Sequence, residues 1–250
     1  MFPADWRSWD SNSREFFVSL RLKIICCMPK YRLLLALCLI AIACAPKEKP
    51  GLRTGDLMFV GIPADYSLEE DSMGSAISDA TGKGDLNIIH VAILEVDRDS
   101  IWVIDATIKH GVDRHPIDTF YRDFTLKDGT LPVLEVRRIS DAKLSAAAVE
   151  RAKQYLGLPY DVHFKPDNGE YYCSELVYDS YLDKDGKPIF HQSPMNFKDK
   201  DGNMPVYWEQ LFALLGESVP QDEPGTSPQG MREEAALKVV EVSPKKPLSL

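Results

Sequence analysis

The stretch from Asn87 to Ile108 constrains the fold most. "NIIHVAILEV" is rich in β-branched residues, "DRDS" is a turn, and "IWVIDATI" repeats the pattern. Two such runs across so short a turn predict a β-hairpin. Other strand signals flank it: "GDLMFVGI" before, with Leu57 and Phe59 on one face, and "TLPVLEVRRI" after. A short strand over "HGVDRHPI" and a last one over "ALKVVEV" complete the β-content, and "FYRDF" predicts a helical turn. "SDAKLSAAAVERAKQYLG" has the period of an amphipathic helix, with Ser140 or Asp141 as N-cap and Gly157 as its stop. "VYWEQLFALLG" predicts a shorter helix, and "PQDEPGTSPQG" a loop. Antiparallel strands with segregated helices define an α+β class. Residues 63–87 predict a long loop with a helical turn near Met73 to Ala80. Loops of that length in compact domains are often functional. No composition break interrupts residues 53–243, which predicts one domain followed by a short tail, 244–250.

The front of the chain follows a different logic. From Met28, "MPKYRLLLALCLIAIACAPKEKP" has a charged start at Lys30 and Arg32 and an apolar run from Leu33 to Ala43. That run is too short to span a bilayer comfortably and reads as an export signal. Ala41-Ile42-Ala43-Cys44 resembles a bacterial lipobox, in which the cysteine becomes lipid-modified and N-terminal. Residues 28–44 are therefore expected to be a lipoprotein signal, and 45–52 a polar tether. Residues 1–27 carry three acidic groups and do not fit a signal, which points to translation starting at Met28. The expected location is the bacterial cell envelope, with the lipid on Cys44 holding the domain at a membrane, facing the periplasm.

Charge and cysteine content exclude some classes. Residues 1–44 hold six of the 29 Lys/Arg and three of the 38 Asp/Glu, which leaves 23 against 35, a net charge of −12, for residues 45–250. A phosphate-backbone binder needs a basic face, so nucleic acid is not an expected partner. Of the five cysteines, Cys26, Cys27, Cys38 and Cys44 lie at or before the expected cleavage point. Beyond Cys44, only Cys173 remains, so disulfide stapling is excluded for the exported domain. A free thiol in an oxidising compartment calls for a reason. Chemistry is one, and burial as a small apolar residue is the other.

Cys173 opens the helical segment in "NGEYYCSELVYDSY", after a polar loop. Positions 173, 176, 177, 180 and 181 share a helical face that points inward. A thiol in a first helical turn feels the positive end of the helix dipole, which favours thiolate. The free N–H groups there can also bind a developing oxyanion. A thiolate needs an imidazole partner. His110, His115, His163 and His191 fall in turns or loops, whereas His90 sits mid-strand in "NIIHVAIL". Alternation puts Ile88, His90 and Ala92 on one face and Ile89, Val91 and Ile93 on the other. A catalytic imidazole is usually oriented by a third polar group. Asp105, in "VIDAT" on the partner strand, is expected near the level of His90. The histidines lack metal-site spacing, so neither a metal nor another cofactor is expected.

In order along the chain, "GDLMF", "IIHVAIL", "VIDAT", "LGLPYD" and "YYCSELVYDSY" resemble the circularly permuted papain-like cysteine hydrolases of the NlpC-type superfamily, YiiX/YebB-like branch. The resemblance runs from about Gly55 to Val242. It implies an antiparallel sheet packed against helices, with Cys173 as nucleophile and His90 as general base. It sets Asp105 where this branch usually has a longer glutamate to orient the histidine. It makes Tyr160, in "GLPYD", a contributor to the oxyanion site. Tyr172 replaces an aspartate of ordinary members, and Ser174 and Glu175 become residues lining the substrate site. "PGTSPQG" and "LKVVEV" resemble the closing segment. The implied activity is hydrolysis of amide or ester bonds in a cell-wall peptide or lipid-linked substrate. The alternatives are a thioester-forming acyltransferase of lecithin–retinol acyltransferase type and a non-catalytic envelope lipoprotein that binds peptide or lipid. An apolar pocket deep enough for an acyl chain favours the transferase, and a narrow polar cleft favours peptides.

Overall fold

The computed structural model describes residues 51–240, except for 67, 69–71 and 82–85. The expected signal segment, Cys44, most of the tether and the tail 244–250 lie outside the described residues. Among the described residues, no helix is long and apolar enough to cross a membrane.

The strands are β1 (Leu57–Pro63), β2 (Leu86–Asp97), β3 (Ser100–Thr107), β4 (Gly111–Pro116), β5 (Val133–Ile139), β6 (Ser193–Pro194), β7 (Pro224–Gly225) and β8 (Leu237–Val239). Six of them form one sheet in the order β4-β3-β2-β1-β5-β8, with every neighbour antiparallel. The two-residue strands β6 and β7 pair separately. The helices are α1 (Met73–Thr81), α2 (Ile117–Asp123), α3 (Ala142–Ala152), α4 (Cys173–Ser180), α5 (Val206–Leu215) and α6 (Pro228–Arg232).

β1 is apolar along almost its whole length because both of its faces are covered. Leu57 and Phe59 pack with Ala148, Val149 and Ala152 of α3 and with Cys173, Leu176 and Val177 of α4. Met58 and Val60 pack on the other side, with Leu94, Val103, Val136 and Phe120 of α2. A third cluster joins Ala76 of α1 to Trp208 and Phe212 of α5, around Phe164, Tyr172 and Phe197. α3 starts where its sequence predicts: Asp141 caps it, accepting from the N–H groups of Lys143 and Leu144. Its regular part ends at Ala152, earlier than the expected stop, and a turn of 3₁₀ helix carries the chain on to Gly157. The expected loop at 220–230 also contains a helix, α6, whose N-cap Ser227 accepts from Gly230 N–H.

Two departures from regular pairing shape the site. Val60 pairs with His90 and Gly61 with Ile88, so Ile89 is an extra residue, a β-bulge in β2. The bulge shifts the phase of the strand. Ile88 packs with Val91 and Ile93 beside Cys173, while Ile89 packs with Ala92 and Leu94 on the far side. Of the expected face of Ile88, His90 and Ala92, His90 and Ala92 stay in phase, opposite Val60 and Met58, whereas Ile88 joins the face of Val91 and Ile93 and Ile89 that of Ala92. Second, the predicted hairpin pairs only from Asp97↔Ser100 to Ile93↔Ile104. β3 then stays with β4 as far as Thr107↔Gly111, and its ladder with β2 ends. His90 and Asp105 lie on the stretches where the two strands have parted.

Candidate active site

In the gap between the strands, His90 Nε2–H donates to Asp105 Oδ2 at 2.8 Å. The second oxygen, Oδ1, accepts from His115 Nε2–H at 3.0 Å. His115 Nδ1 faces the Pro116 carbonyl at 3.3 Å. Two acceptors around one imidazole suit its doubly protonated form. Asp105 is 2% exposed, and burial alone would raise its carboxyl; the hydrogen bonds from His115 and His90 outweigh burial and hold it below its usual range. His115 is raised, its own burial being overcome by the hydrogen bond to Asp105.

Cys173 stands on the other side of His90. With Nε2 committed to Asp105, Nδ1 is the ring nitrogen left to face the sulfur, which is close enough to raise the imidazole. Burial opposes a charged ring, but the Cys173 sulfur and the Asp105 carboxylate outweigh it and push His90 up to about 10. The Phe124 ring packs against the imidazole at a centroid distance of 4.7 Å, and Phe120 at 6.1 Å. These rings keep water from the ring and fix its plane.

α4 is buried through its whole first turn. Cys173, Leu176, Val177, Ser180 and Tyr181 are buried as the helical face predicts, and Ser174 and Glu175 are buried as well. The reason is the closing segment, which covers the helix start. Thr226 N–H donates to Tyr172 Oη at 3.1 Å, and the Thr226 hydroxyl lies 3.0 Å from Ser174 Oγ. The far end of α4 is tied down by Tyr181, whose hydroxyl donates to the Gly55 carbonyl at 2.8 Å.

Cys173 opens onto a cleft of about 350 Å³, which Tyr160, Tyr172 and Ser174 also line. The rest of the wall is largely apolar: Ile77, Phe164, Met195, Phe197 and Trp208. Two buried polar atoms of lining residues, Trp208 Nε1 and Gln229 Oε1, have no partner among the described residues. Tyr160 hydroxyl has only the Met73 sulfur, 3.6 Å away, as acceptor. Burial and the nearby Cys173 sulfur push that hydroxyl well above its usual range, so it stays a donor. Tyr172 is raised too, first by burial and then by Glu175, and its hydroxyl is already engaged by Thr226.

The structure thus brings Cys173, His90, Asp105, Tyr160, Tyr172 and Ser174 together. Glu175 does not line the Cys173 cleft but a neighbouring cavity. His115, which the sequence suggested for a turn, is on β4 and buried. Its signal was there to find: once the hairpin pairs β3 with β4, His115 opposes Val103 and therefore shares a face with Asp105. Thr226 and Phe124 carried no comparable signal, since their contacts depend on how distant segments close over the sheet.

The fold and its sequence relatives agree on a class. The family model of permuted papain-like amidase enzymes (YaeF/YiiX, C92 family) matches residues 52–241, and the chain belongs to that family. It is a cysteine hydrolase with a permuted papain-like α+β fold. An uncharacterized YiiX protein of Escherichia coli K12 is 32% identical over 91 residues, 36% of this chain. The match spans 44% of that relative's length. A crystal structure of the metalloprotein yiiX from Escherichia coli O157:H7 superposes with a TM-score of 0.58 at 25% identity, covering 78% of this chain and 98% of that one. In the present chain, no three His, Cys, Asp or Glu side chains among the described residues are grouped so as to hold a metal ion. His90 and His115 both spend Nε2 on Asp105.

The titration of His90 has a consequence for stability. Its folded value, about 10, exceeds the unfolded 6.5, so its contribution is complete below 6.5 and is lost as pH rises toward 10. Asp105, held below 3.8, acts at the other end: its contribution is present above 3.8 and lost as pH falls through the folded value. Urea unfolding of wild type and His90→Gln is the check. The stability difference between them is expected to shrink steadily from pH 6.5 to 10; a difference that stays level contradicts the pairing.

Proposed function

We propose that the chain is an envelope thiol hydrolase in which Cys173 is the nucleophile, His90 its acid–base partner and Asp105 the group that orients His90. His115 acts through Asp105, as a positioning residue. The observation that carries this reading is the buried hydrogen-bonded chain of His90, Asp105 and His115, with the Cys173 sulfur near enough to His90 to raise it. An imidazolium beside the sulfur stabilises a thiolate. The thiolate attacks the carbonyl carbon of an amide or ester. The Cys173 N–H, at the start of α4, and the Tyr160 hydroxyl receive the oxyanion. His90 then donates its proton to the leaving amine or alkoxide as the carbon–nitrogen or carbon–oxygen bond breaks, leaving a thioester. Water attacks the thioester, His90 takes its proton, and a carboxylic acid departs with the thiolate restored.

The substrate class follows from the walls of the cleft. A mainly apolar lining suits a large apolar group on the acyl side. One unpartnered donor and one unpartnered acceptor among the lining residues suit an amide. A lipid-linked or acylated peptide of the cell envelope has both features. The same apolar wall supports a second reading, transfer of the acyl group to an acceptor other than water. Intact-mass analysis after mixing with an activated acyl ester tests the shared step. One acyl group is expected on Cys173, with acylation slowed by about 10²–10⁴-fold in His90→Ala, the usual worth of a positioned acid–base group. Acylation of another residue, or none while substrate is consumed, contradicts the reading. Free acid as the released product marks the hydrolase, and an acylated added alcohol or amine marks the transferase.

The envelope placement rests on the lipobox-like segment ending at Cys44. Protein isolated from bacterial membranes is expected to begin at Cys44 and to carry a lipid mass, and Cys44→Ala is expected to lose both. Recovery of residues 1–27 on the mature protein contradicts both the anchor and the start at Met28.

A further inference from the structure

A second cavity, of about 950 Å³, lies against the Cys173 cleft, with Phe164, Tyr172 and Thr226 as a shared wall. Its lining carries four carboxylates, those of Asp167, Glu175, Asp179 and Glu223. The one lysine there, Lys165, already pairs with Glu217 at 2.8 Å.

Acidic walls alone prove nothing, since surface carboxylates are ordinarily solvated. Glu175 is different because its side chain is 8% exposed. One carboxylate oxygen lies near enough to the backbone N–H of Tyr172, the N-cap of α4, to be lowered by it. The other, Oε2, is buried with no hydrogen-bond partner among the described residues. A buried carboxylate oxygen without a partner is costly. The charges that act most on it are of its own sign, Asp161, Asp179 and Asp167. Asp161 is satisfied by the N–H groups of His163, Phe164 and Lys165 and the side chain of Asn168. Asp179 is raised by burial and by Asp167, with Tyr171 opposing the rise. No cation of the described protein is paired with Glu175.

We propose that this cavity binds a primary alkylammonium group, with Glu175 Oε2 as its charged acceptor and Asp179 as a second. An ammonium is compact and carries three donors, and its alkyl stem can lie along Phe164, Val219 and Pro220. A metal ion suits the site less well, because no three ligating side chains among the described residues are grouped to hold one. The site needs no role for Cys173, so it stands or falls apart from the thiol chemistry.

Burial and the neighbouring Asp161 and Asp179 push Glu175 up to about 8, so near neutral pH it is largely protonated when empty. An arriving ammonium must displace that proton. Calorimetric titration of the full chain with cadaverine, in two buffers of different ionisation enthalpy, reads both binding and proton release. Saturable binding with proton release is expected for cadaverine, and none for pentanol. Glu175→Gln, which keeps an acceptor for the Tyr172 N–H, is expected to weaken binding about tenfold or more and to abolish proton release, the loss of one charge-assisted hydrogen bond. Asp179→Asn, a second variant whose fold does not depend on the α4 cap, is expected to weaken binding as well. N-acetylcadaverine separates two sources of the amine: tighter binding marks the amine end of an amide substrate, weaker binding a free diamine. Absence of cadaverine binding, binding unchanged in both variants, or saturable binding of magnesium chloride in its place overturns the proposal.

Discussion

The site depends on one buried carboxylate held between two imidazoles. Asp105 sits almost without solvent, where an unpaired charge is destabilising by about 3–5 kcal/mol when its partner is removed. Each of its oxygens takes one N–H, from His90 on β2 and from His115 on β4. That double commitment fixes the ring of His90, and with it the direction of the nitrogen facing Cys173. The parted strands leave a gap between β2 and β3 that the short side chain spans from β3, and His115 fills the other side of it.

The scaffold around this carboxylate brings the thiol to it. The bulge at Ile89 lies beside His90, on the part of β2 past the end of its ladder with β3. α4 packs on the sheet face of Leu57 and Phe59 through Leu176 and Val177, and Tyr181 pins its end to the Gly55 carbonyl. Gly55 has a φ of +80°, and a Cβ there would meet the Ser145 Cβ at 2.5 Å, so the close approach of α3 to the start of β1 requires glycine. From the opposite side, Thr226 holds Tyr172 and Ser174 and so closes the first turn of α4. The helix start is thereby buried, with Tyr172, Cys173 and Ser174 each less than a tenth exposed.

Much of this was legible in the sequence, and the reasons differ by element. Strands β1, β2 and β3 declare themselves because both faces of the sheet are covered there and most of their residues are apolar or β-branched; β5 does so despite Glu135, Arg137 and Arg138. Cys173 and His90 stood out as polar or reactive groups in apolar settings. The bulge was not legible, because alternation of apolar residues reads the same through "NIIHVAIL" whether or not one residue is extra. His115 was overlooked because its sequence neighbours, Asp113 and Arg114, are polar; only pairing with β3 reveals its buried side. Glu175 looked like a residue of the main cleft, yet helix geometry turns it into the neighbouring cavity. Short segments such as "TSPQGMR" gave no helical period to read, since α6 spans only Pro228–Arg232.

The central claim is that His90, held by Asp105, controls the reactivity of Cys173. The most direct measurement is the rate of Cys173 alkylation by iodoacetamide near neutral pH, in residues 45–250 made without the anchor, for wild type, His90→Ala and Asp105→Asn. Wild type is predicted to react fastest, with His90→Ala falling to the rate of an ordinary buried thiol and Asp105→Asn lying between them. Equal rates in all three, or reaction only after unfolding, contradict the account and leave Cys173 as a packing residue of α4.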